Sequence, residues 1–197
     1  MKVFGKATVA LGIAALSSIA QATLIVDQNQ PSATVHMASF NQPDLAQSFR
    51  QTQGNIAGAG IFMQAGQGLS DTVTIALWDA LPNQAGAHML TSASGTATSG
   101  SWFDLYWTPE TISSGVTYFL VFTSMNGTLG ISGSTNNPYA FGDVYANSGY
   151  DKFPGFDYTF RTYYDDQQQN QVPEPAPLGL LGLGLAGIAF SMRRLKA

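Results

Sequence analysis

The middle of the chain predicts an all-β fold, an antiparallel β-sandwich. Between Thr23 and Val172, no apolar pattern of helical period extends over ten or more residues. Short runs rich in Val, Ile, Thr and aromatic residues alternate instead with clusters of Gly, Pro, Asn and Ser, which is typical of strands and turns. The chain has no cysteine, so a domain of this length depends on a packed core rather than on disulfides.

Two runs predict strands of different burial. Thr72–Asp79 alternates, with Val73, Ile75 and Leu77 on one face, and predicts a half-buried strand. Val116–Thr123 is apolar on both faces and predicts a central strand covered on both sides. The other predicted strands are Leu24–Asp27, Thr34–Ala38, Ala46–Arg50, Ala57–Met63, His88–Ser92, Ser101–Trp107, Thr128–Ser132, Ala140–Tyr145 and Asp157–Tyr163. About ten short strands in one domain, residues 23–164, favour two packed sheets of jelly-roll type.

Three connecting segments have distinct compositions. Asn126-Gly127 predicts a two-residue type I′ turn that joins its neighbouring strands as a hairpin. Ser92–Ser101 contains mostly Ser, Ala, Gly and Thr, which predicts a surface loop. Residues 165–171 are polar throughout and predict a flexible linker.

The first 22 residues have the composition of a secretory signal peptide. Lys2 and Lys6 precede an apolar stretch, Val9–Ile19, and the small residues Ala20 and Ala22 favour cleavage after Ala22. The alternative, a retained N-terminal anchor helix, is less favoured because the apolar stretch is shorter than the roughly 20 residues that span a bilayer.

The C-terminal 26 residues, 172–197, predict a membrane-directed segment. Val172, Pro173, Glu174 and Pro175 break any preceding structure, and an uncharged run then predicts a transmembrane helix over residues 176–192. The basic residues Arg193, Arg194 and Lys196 follow this run and favour a cytoplasmic end. Composition leaves open whether the helix is retained as a tail anchor or removed.

This tripartite tail resembles the PEP-CTERM sorting signal of exported bacterial proteins. The resemblance implies passage through the secretion machinery and tethering to the inner membrane, as expected in a Gram-negative bacterium. It also implies processing near Pro173–Pro175 by an exosortase, a membrane-embedded cysteine transpeptidase, and delivery to the cell surface or the extracellular polysaccharide layer.

The body of the chain is similar to a module that recurs in other PEP-CTERM proteins. The segments that carry this similarity include Thr72–Asp79, Trp102–Trp107, Gly115–Phe122 and Leu129–Tyr139. The resemblance implies a β-sandwich of the broad galactose-binding or lectin-like kind and supplies no ligand.

Charge excludes nucleic acid as a partner. Between Thr23 and Val172 only Arg50, Lys152 and Arg161 are basic, against eleven acidic residues, so this part has a formal charge of −8. Such a surface repels phosphate backbones.

The sequence favours a non-enzymatic protein. His36 and His88 have no motif spacing for nucleophilic catalysis or zinc. Glycoside hydrolysis needs two facing carboxylates, and no pair is singled out among Asp79, Asp104, Glu110, Asp143, Asp151 and Asp157. No cofactor is expected. Calcium is the metal that the loops around Asn136–Asn137 and Asp143–Asp151 would favour.

Aromatic side chains are the remaining candidates for function. Tyr139, Tyr150 and Trp78 are candidate carbohydrate contacts, and the two tyrosines are expected to be exposed because they lie in loops rich in Gly, Asn and Pro. The first hypothesis is therefore an exported surface or matrix protein associated with polysaccharide. The alternatives are a carbohydrate-binding module and, less favoured, an extracellular polysaccharide hydrolase.

Overall fold

The computed structural model describes residues 23–169, which form short strands throughout and one turn of helix. The helix, α1, covers Asp166–Gln169. The strands are β1 (Leu24–Gln30), β2 (Val35–Ser39), β3 (Leu45–Arg50), β4 (Asn55–Ala65), β5 (Ser70–Trp78), β6 (Met89–Thr98), β7 (Trp102–Thr111), β8 (Thr117–Ser124), β9 (Leu129–Ser134), β10 (Val144–Ala146), β11 (Asp151–Phe153), β12 (Asp157–Tyr158) and β13 (Phe160–Asp165).

The strands form two antiparallel sheets, which confirms the all-β prediction. The seven-stranded sheet has the order β1-β13-β4-β9-β12, with β7 paired to β4 and β2 paired to β9. The six-stranded sheet has the order β11-β10-β3-β8-β5-β6. The jelly-roll and lectin-like type stay predictions.

One hydrophobic core lies between the two sheets. Phe49 of the six-stranded sheet contacts Phe160 of the seven-stranded sheet, with ring centroids 6.5 Å apart. Phe122 and Tyr158 make the equivalent contact at 5.7 Å. All four rings are almost completely buried, so this contact removes large apolar surfaces from water and holds the sheets together.

The two detailed strand predictions are confirmed. Val73, Ile75 and Leu77 of β5 point into the core and are fully buried. Strand β8 lies between β3 and β5 in the six-stranded sheet, and Leu120 faces the core. On the outer face of β8, Val121 belongs to a second apolar cluster, so this strand is covered on both sides.

The predicted hairpin at Asn126-Gly127 is wrong. Strands β8 and β9 lie in different sheets, so the connection crosses between the sheets. Gly127 has φ of +68°, whereas Asn126 is not among the residues with positive φ that a type I′ turn requires at both positions. The crossing is held by the buried Asp71 carboxylate, which accepts hydrogen bonds from the Asn126 side chain (2.9 Å) and the Thr128 backbone N–H (3.0 Å).

Two further assignments differ from the prediction. Ser92–Ser101 is mostly strand, because β6 pairs with β5 from Ser70↔Thr98 onward, and the Thr74 and Ser94 hydroxyls are 2.6 Å apart. Small hydroxylated residues suit an edge strand whose outer face is exposed to water. In the predicted strand Ala140–Tyr145, only Val144–Tyr145 is extended, and residues 140–143 form a loop.

The first and last described strands are neighbours. Leu24 pairs with Asp165, so the two ends of the domain lie side by side. The predicted linker begins with Asp165, a buried strand residue, and continues into α1. The predicted signal peptide, with Ala20 and Ala22, and the predicted tail helix and sorting residues lie outside the described residues. Among residues 23–169, no helix is long and apolar enough to span a membrane.

Asp71→Asn is expected to lower the free energy of unfolding by about 2 kcal/mol, because several donors lose a charged acceptor. Burial opposes ionisation, but the hydrogen bonds from Thr128, Asn126 and Thr72 prevail and lower the pKa of Asp71 to about 2. The contribution of Asp71 is therefore complete above pH about 4 and is lost as the pH falls towards 2. Urea unfolding at pH 7 and pH 3 measures both effects.

The exposed Asp151 provides the matched control, since Asp151→Asn makes the same chemical change on the surface. An equal loss of stability in both variants would contradict the role assigned to Asp71.

Candidate functional site

Two adjoining cavities near the end of β3 and the start of β8, in the six-stranded sheet, form the candidate site. The first has a volume of about 300 Å³ and the second about 270 Å³, and both are lined by Arg50 and Phe141. We call the two together the Arg50 groove. Besides these two shared residues, the first cavity is lined by Ser48, Thr117, Asn137, Ala140, Gly142, Asp143, Tyr145 and Lys152, and the second by Gln28, Gln51, Thr52, Ser114 and Gly115.

The wall of the first cavity is the loop of residues 137–143, which lies directly on β3. Gly142 is so close to β3 that a methyl group at this position would overlap the carbonyl oxygen of Ser48. The buried Ser48 hydroxyl accepts a hydrogen bond from the Asp143 N–H (2.9 Å), and the Ser48 N–H donates to the Asp143 carbonyl (3.0 Å). Only glycine at position 142 permits this approach, so the loop conformation depends on that residue.

Tyr139 anchors the same loop in the core, and the expectation that it is exposed is wrong. Only 7% of its surface is exposed, and its ring contacts Phe160 at a centroid distance of 5.1 Å. Its hydroxyl donates to Gln28 Oε1 (2.9 Å) and accepts from the Arg50 backbone N–H (3.1 Å). Tyr139 therefore positions the Arg50 backbone from the core side of the sheet, and its ring is not accessible to a ligand.

The cations of the domain are unevenly distributed. Of its three basic residues, Arg50 and Lys152 both line the first cavity. The Lys152 ammonium forms an ion pair with Asp143 at 2.8 Å. Arg161 is on the other sheet and is paired with Asp104. Among residues 23–169, Arg50 is thus the basic side chain without a carboxylate partner, and its Nε donates to the Thr117 hydroxyl at 3.1 Å.

The aromatic residues of the groove differ from those predicted. Phe141 is 60% exposed and separates the two cavities, while Tyr145 is half-buried at the side of the first. Trp78 and Tyr150 are also half-buried, and they pack with Leu81 on the outer face of the sheet. They belong to the same apolar cluster as Tyr145 and line neither cavity of the groove.

The remaining candidate carboxylates have separate partners. The Asp79 carboxylate accepts from the backbone N–H of the exposed His88 (2.7 Å), and Asp104 accepts from Arg161 Nε (2.7 Å). His36 is exposed, with Nδ1 3.1 Å from Gln64 Oε1. In the described part of the chain, no three His, Asp or Glu side chains come together as a group that could hold a metal ion.

Neither Arg50 nor Phe141 was a sequence candidate, and their juxtaposition arises from the fold. Arg50 ends a predicted strand, and Phe141 lay within a segment that was itself predicted to be extended. The scarcity of basic residues in the sequence could have singled out Arg50, because it is one of only three lysines and arginines between Thr23 and Val172.

A third cavity, of about 290 Å³, is a weaker candidate. Its walls are of mixed polarity, and it is separated from the groove by β10, whose Val144 and Ala146 line it. The Tyr158 hydroxyl on this cavity is buried without a hydrogen-bond partner in the described residues. A single water molecule would satisfy that hydroxyl, so the cavity requires no other ligand.

Comparison with known proteins identifies the tail. Residues 171–194 match the model of the PEP-CTERM protein-sorting motif, and the chain therefore carries this sorting signal. Neither curated proteins nor solved structures gave a match. The motif marks an exported protein that is sorted and processed by an exosortase, a membrane enzyme.

The fully buried Asp157 supports the groove from behind. Its carboxylate accepts hydrogen bonds from the Tyr139 N–H and from Gln47 Nε2, each at 3.1 Å. Burial raises the pKa of Asp157 to about 6 despite these two hydrogen bonds, and the negative charge of Asp143 contributes to the increase. The protonated form is therefore favoured in the folded protein at mildly acidic pH.

The protein is expected to lose stability as the pH rises from about 4 to 6. In this window the folded chain retains a proton on Asp157 that the unfolded chain has released, so the free energy of unfolding decreases by an amount on the order of 3 kcal/mol. In Asp157→Asn this component is absent because the amide does not titrate. Urea unfolding at half-unit pH steps measures the slope, with Asp151→Asn as control; an unchanged slope in Asp157→Asn would refute the assignment.

Proposed function

We propose that this protein is an exported, non-enzymatic cell-surface or matrix protein that binds extracellular polysaccharide in the Arg50 groove. The observation that carries the proposal is the exposed Phe141 ring between two adjoining cavities, of which the first has a mainly polar lining and the second a mainly apolar one. An exposed aromatic face flanked by hydrogen-bonding groups suits a sugar chain, whose rings present C–H surfaces with hydroxyl groups around their rims.

The shape of the groove favours a chain over a single small molecule. Two cavities in series, each near the lower end of the volumes typical of ligand pockets, offer positions for neighbouring sugar residues on either side of Phe141. The side-chain hydroxyls of Thr117 and Ser114 and the side-chain amide of Asn137 can form hydrogen bonds with sugar hydroxyls.

The sorting signal supports the extracellular part of the proposal. An exosortase substrate is delivered out of the cytoplasm, and we propose that its destination is the cell surface or the surrounding polysaccharide after tethering to the inner membrane. A domain that adheres to polysaccharide would then stay at that location without a retained membrane anchor.

Processing at both ends is the first expectation. Mass spectrometry of the protein recovered from its native host is expected to show Thr23 as the first residue and a C-terminus within or close to Pro173–Pro175, without Arg193 and Arg194. Full retention of the C-terminal residues would show that the tail is a permanent anchor.

Phe141→Ala is expected to weaken binding to the polysaccharide of the host about two- to tenfold, which corresponds to the roughly 0.5–1.5 kcal/mol typical of an aromatic contact. Because Phe141 is 60% exposed, its loss should leave the fold intact, as judged from circular dichroism and thermal unfolding. Depletion of the protein by the immobilised polysaccharide measures the change.

Tyr106→Ala is the matched control, since Tyr106 is 51% exposed and lies on β7 of the opposite sheet. Equal losses in the two variants would show that binding is not localised in the Arg50 groove. If Phe141→Ala binds the polysaccharide as tightly as the unmodified protein, the binding site lies outside the Arg50 groove.

A further inference from the structure

Arg50, which has no carboxylate partner among residues 23–169, indicates the chemical class of the ligand. We propose that the Arg50 groove binds an acidic polysaccharide, and that the Arg50 guanidinium receives the carboxylate of a uronic acid residue. This inference rests on the proposed function, because it specifies which sugar chain the same groove takes.

The first support is the state of the guanidinium. Arg50 is exposed and shares both cavities, and its only side-chain hydrogen bond given by the structure runs from Nε to Thr117. The terminal NH₂ groups thus remain available. Two N–H groups of a guanidinium can donate parallel hydrogen bonds, as a fork, to the two oxygens of a carboxylate. The backbone bond from Arg50 N–H to the buried Tyr139 hydroxyl fixes the root of this side chain.

The second support is the contrast with the rest of the domain. The chain between Thr23 and Val172 has a formal charge of −8, and its other two cations are neutralised by Asp143 and Asp104. An unpaired arginine in such a domain would gain stability from a surface carboxylate, yet none is supplied by the described residues. A carboxylate on the ligand would supply this missing ion-pair partner of Arg50.

The third support is the number of charges that the groove can accept. Beside Arg50, the Lys152 ammonium is already held by Asp143 at 2.8 Å, so the groove has one positive charge to offer. A single positive charge matches one carboxylate, that of the uronic acid residue at Arg50. A doubly charged phosphate adds negative charge that the acidic domain repels. A sulfate ester carries one charge and can also accept two hydrogen bonds from a guanidinium group, so the test includes a sulfated sugar.

The test compares trigalacturonate with its fully methyl-esterified form, which keeps the sugar rings and removes the charge. Full-length protein in a zwitterionic, sugar-free detergent is titrated with each compound by isothermal calorimetry. The acid is expected to bind at least about tenfold more tightly than the ester at low salt, and this preference should decline as salt screens the charges.

Arg50→Gln is expected to remove the preference, because the affinity for the acid should fall to about that for the ester. Arg50→Lys keeps the charge without the fork and should retain part of the preference. Glu110→Gln is the control for overall charge, because it makes the protein less acidic on the opposite sheet and is expected to leave the ratio of affinities unchanged.

The outcomes separate the two proposals. Equal binding of acid and ester by the unmodified protein, or an unchanged preference in Arg50→Gln, overturns the acidic ligand while the carbohydrate site stands. Tighter binding of a sulfated galactan trisaccharide than of trigalacturonate overturns the carboxylate assignment. Absence of binding by any of these sugars and by the host polysaccharide overturns both proposals.

Discussion

The contact between residues 139–143 and β3 is the constraint on which the candidate site depends. Gly142 lies against the Ser48 carbonyl with no room for a side chain, and Ser48 and Asp143 are joined through both backbone and side-chain hydrogen bonds. Tyr139 secures the other end of the loop among the core aromatics. The groove is therefore formed by the same packing that stabilises the domain. Because the loop is already ordered, ligand binding costs little conformational entropy.

This arrangement divides the chain into parts with separate tasks. The sorting motif at residues 171–194 specifies export and processing, whereas the β-domain presents the groove. The two ends of the domain meet where Leu24 pairs with Asp165. Thr52, which lines the second cavity, donates its N–H to Asp27 of β1 at 2.7 Å, so the groove lies towards that same end of the domain.

The sequence predicted the fold class well because alternation and β-branched composition are local signals. The buried faces of β5 and β8 follow from Val73, Ile75, Leu77 and Leu120 alone. Local signals failed where long-range pairing decides the structure. Asn126-Gly127 has the composition of a hairpin turn, but the buried Asp71, 55 residues away, holds it in a crossing between the sheets. Composition likewise misassigned β6, whose small polar residues suit an edge strand.

The candidate site was less predictable than the fold for the same reason. Tyr139 lies in a sequence rich in Asn and Pro that is typical of an exposed loop, yet its ring fills the core because the loop folds back onto β3. That fold-back is also what brings Phe141 beside Arg50, about 90 residues earlier in the chain. The tail was recognisable from sequence because its motif, apolar run and basic end are contiguous.

A nuclear magnetic resonance titration of the ¹⁵N-labelled protein with oligosaccharides from the host polysaccharide shows whether the Arg50 groove is the surface that binds the polysaccharide. If polysaccharide binds in the groove, the chemical shifts of the backbone amides of Arg50, Gly142 and Tyr145 will change and that of the indole N–H of Trp102, on the opposite sheet, will not. Changes confined to Trp102 and its neighbours on the seven-stranded sheet would contradict binding in the groove.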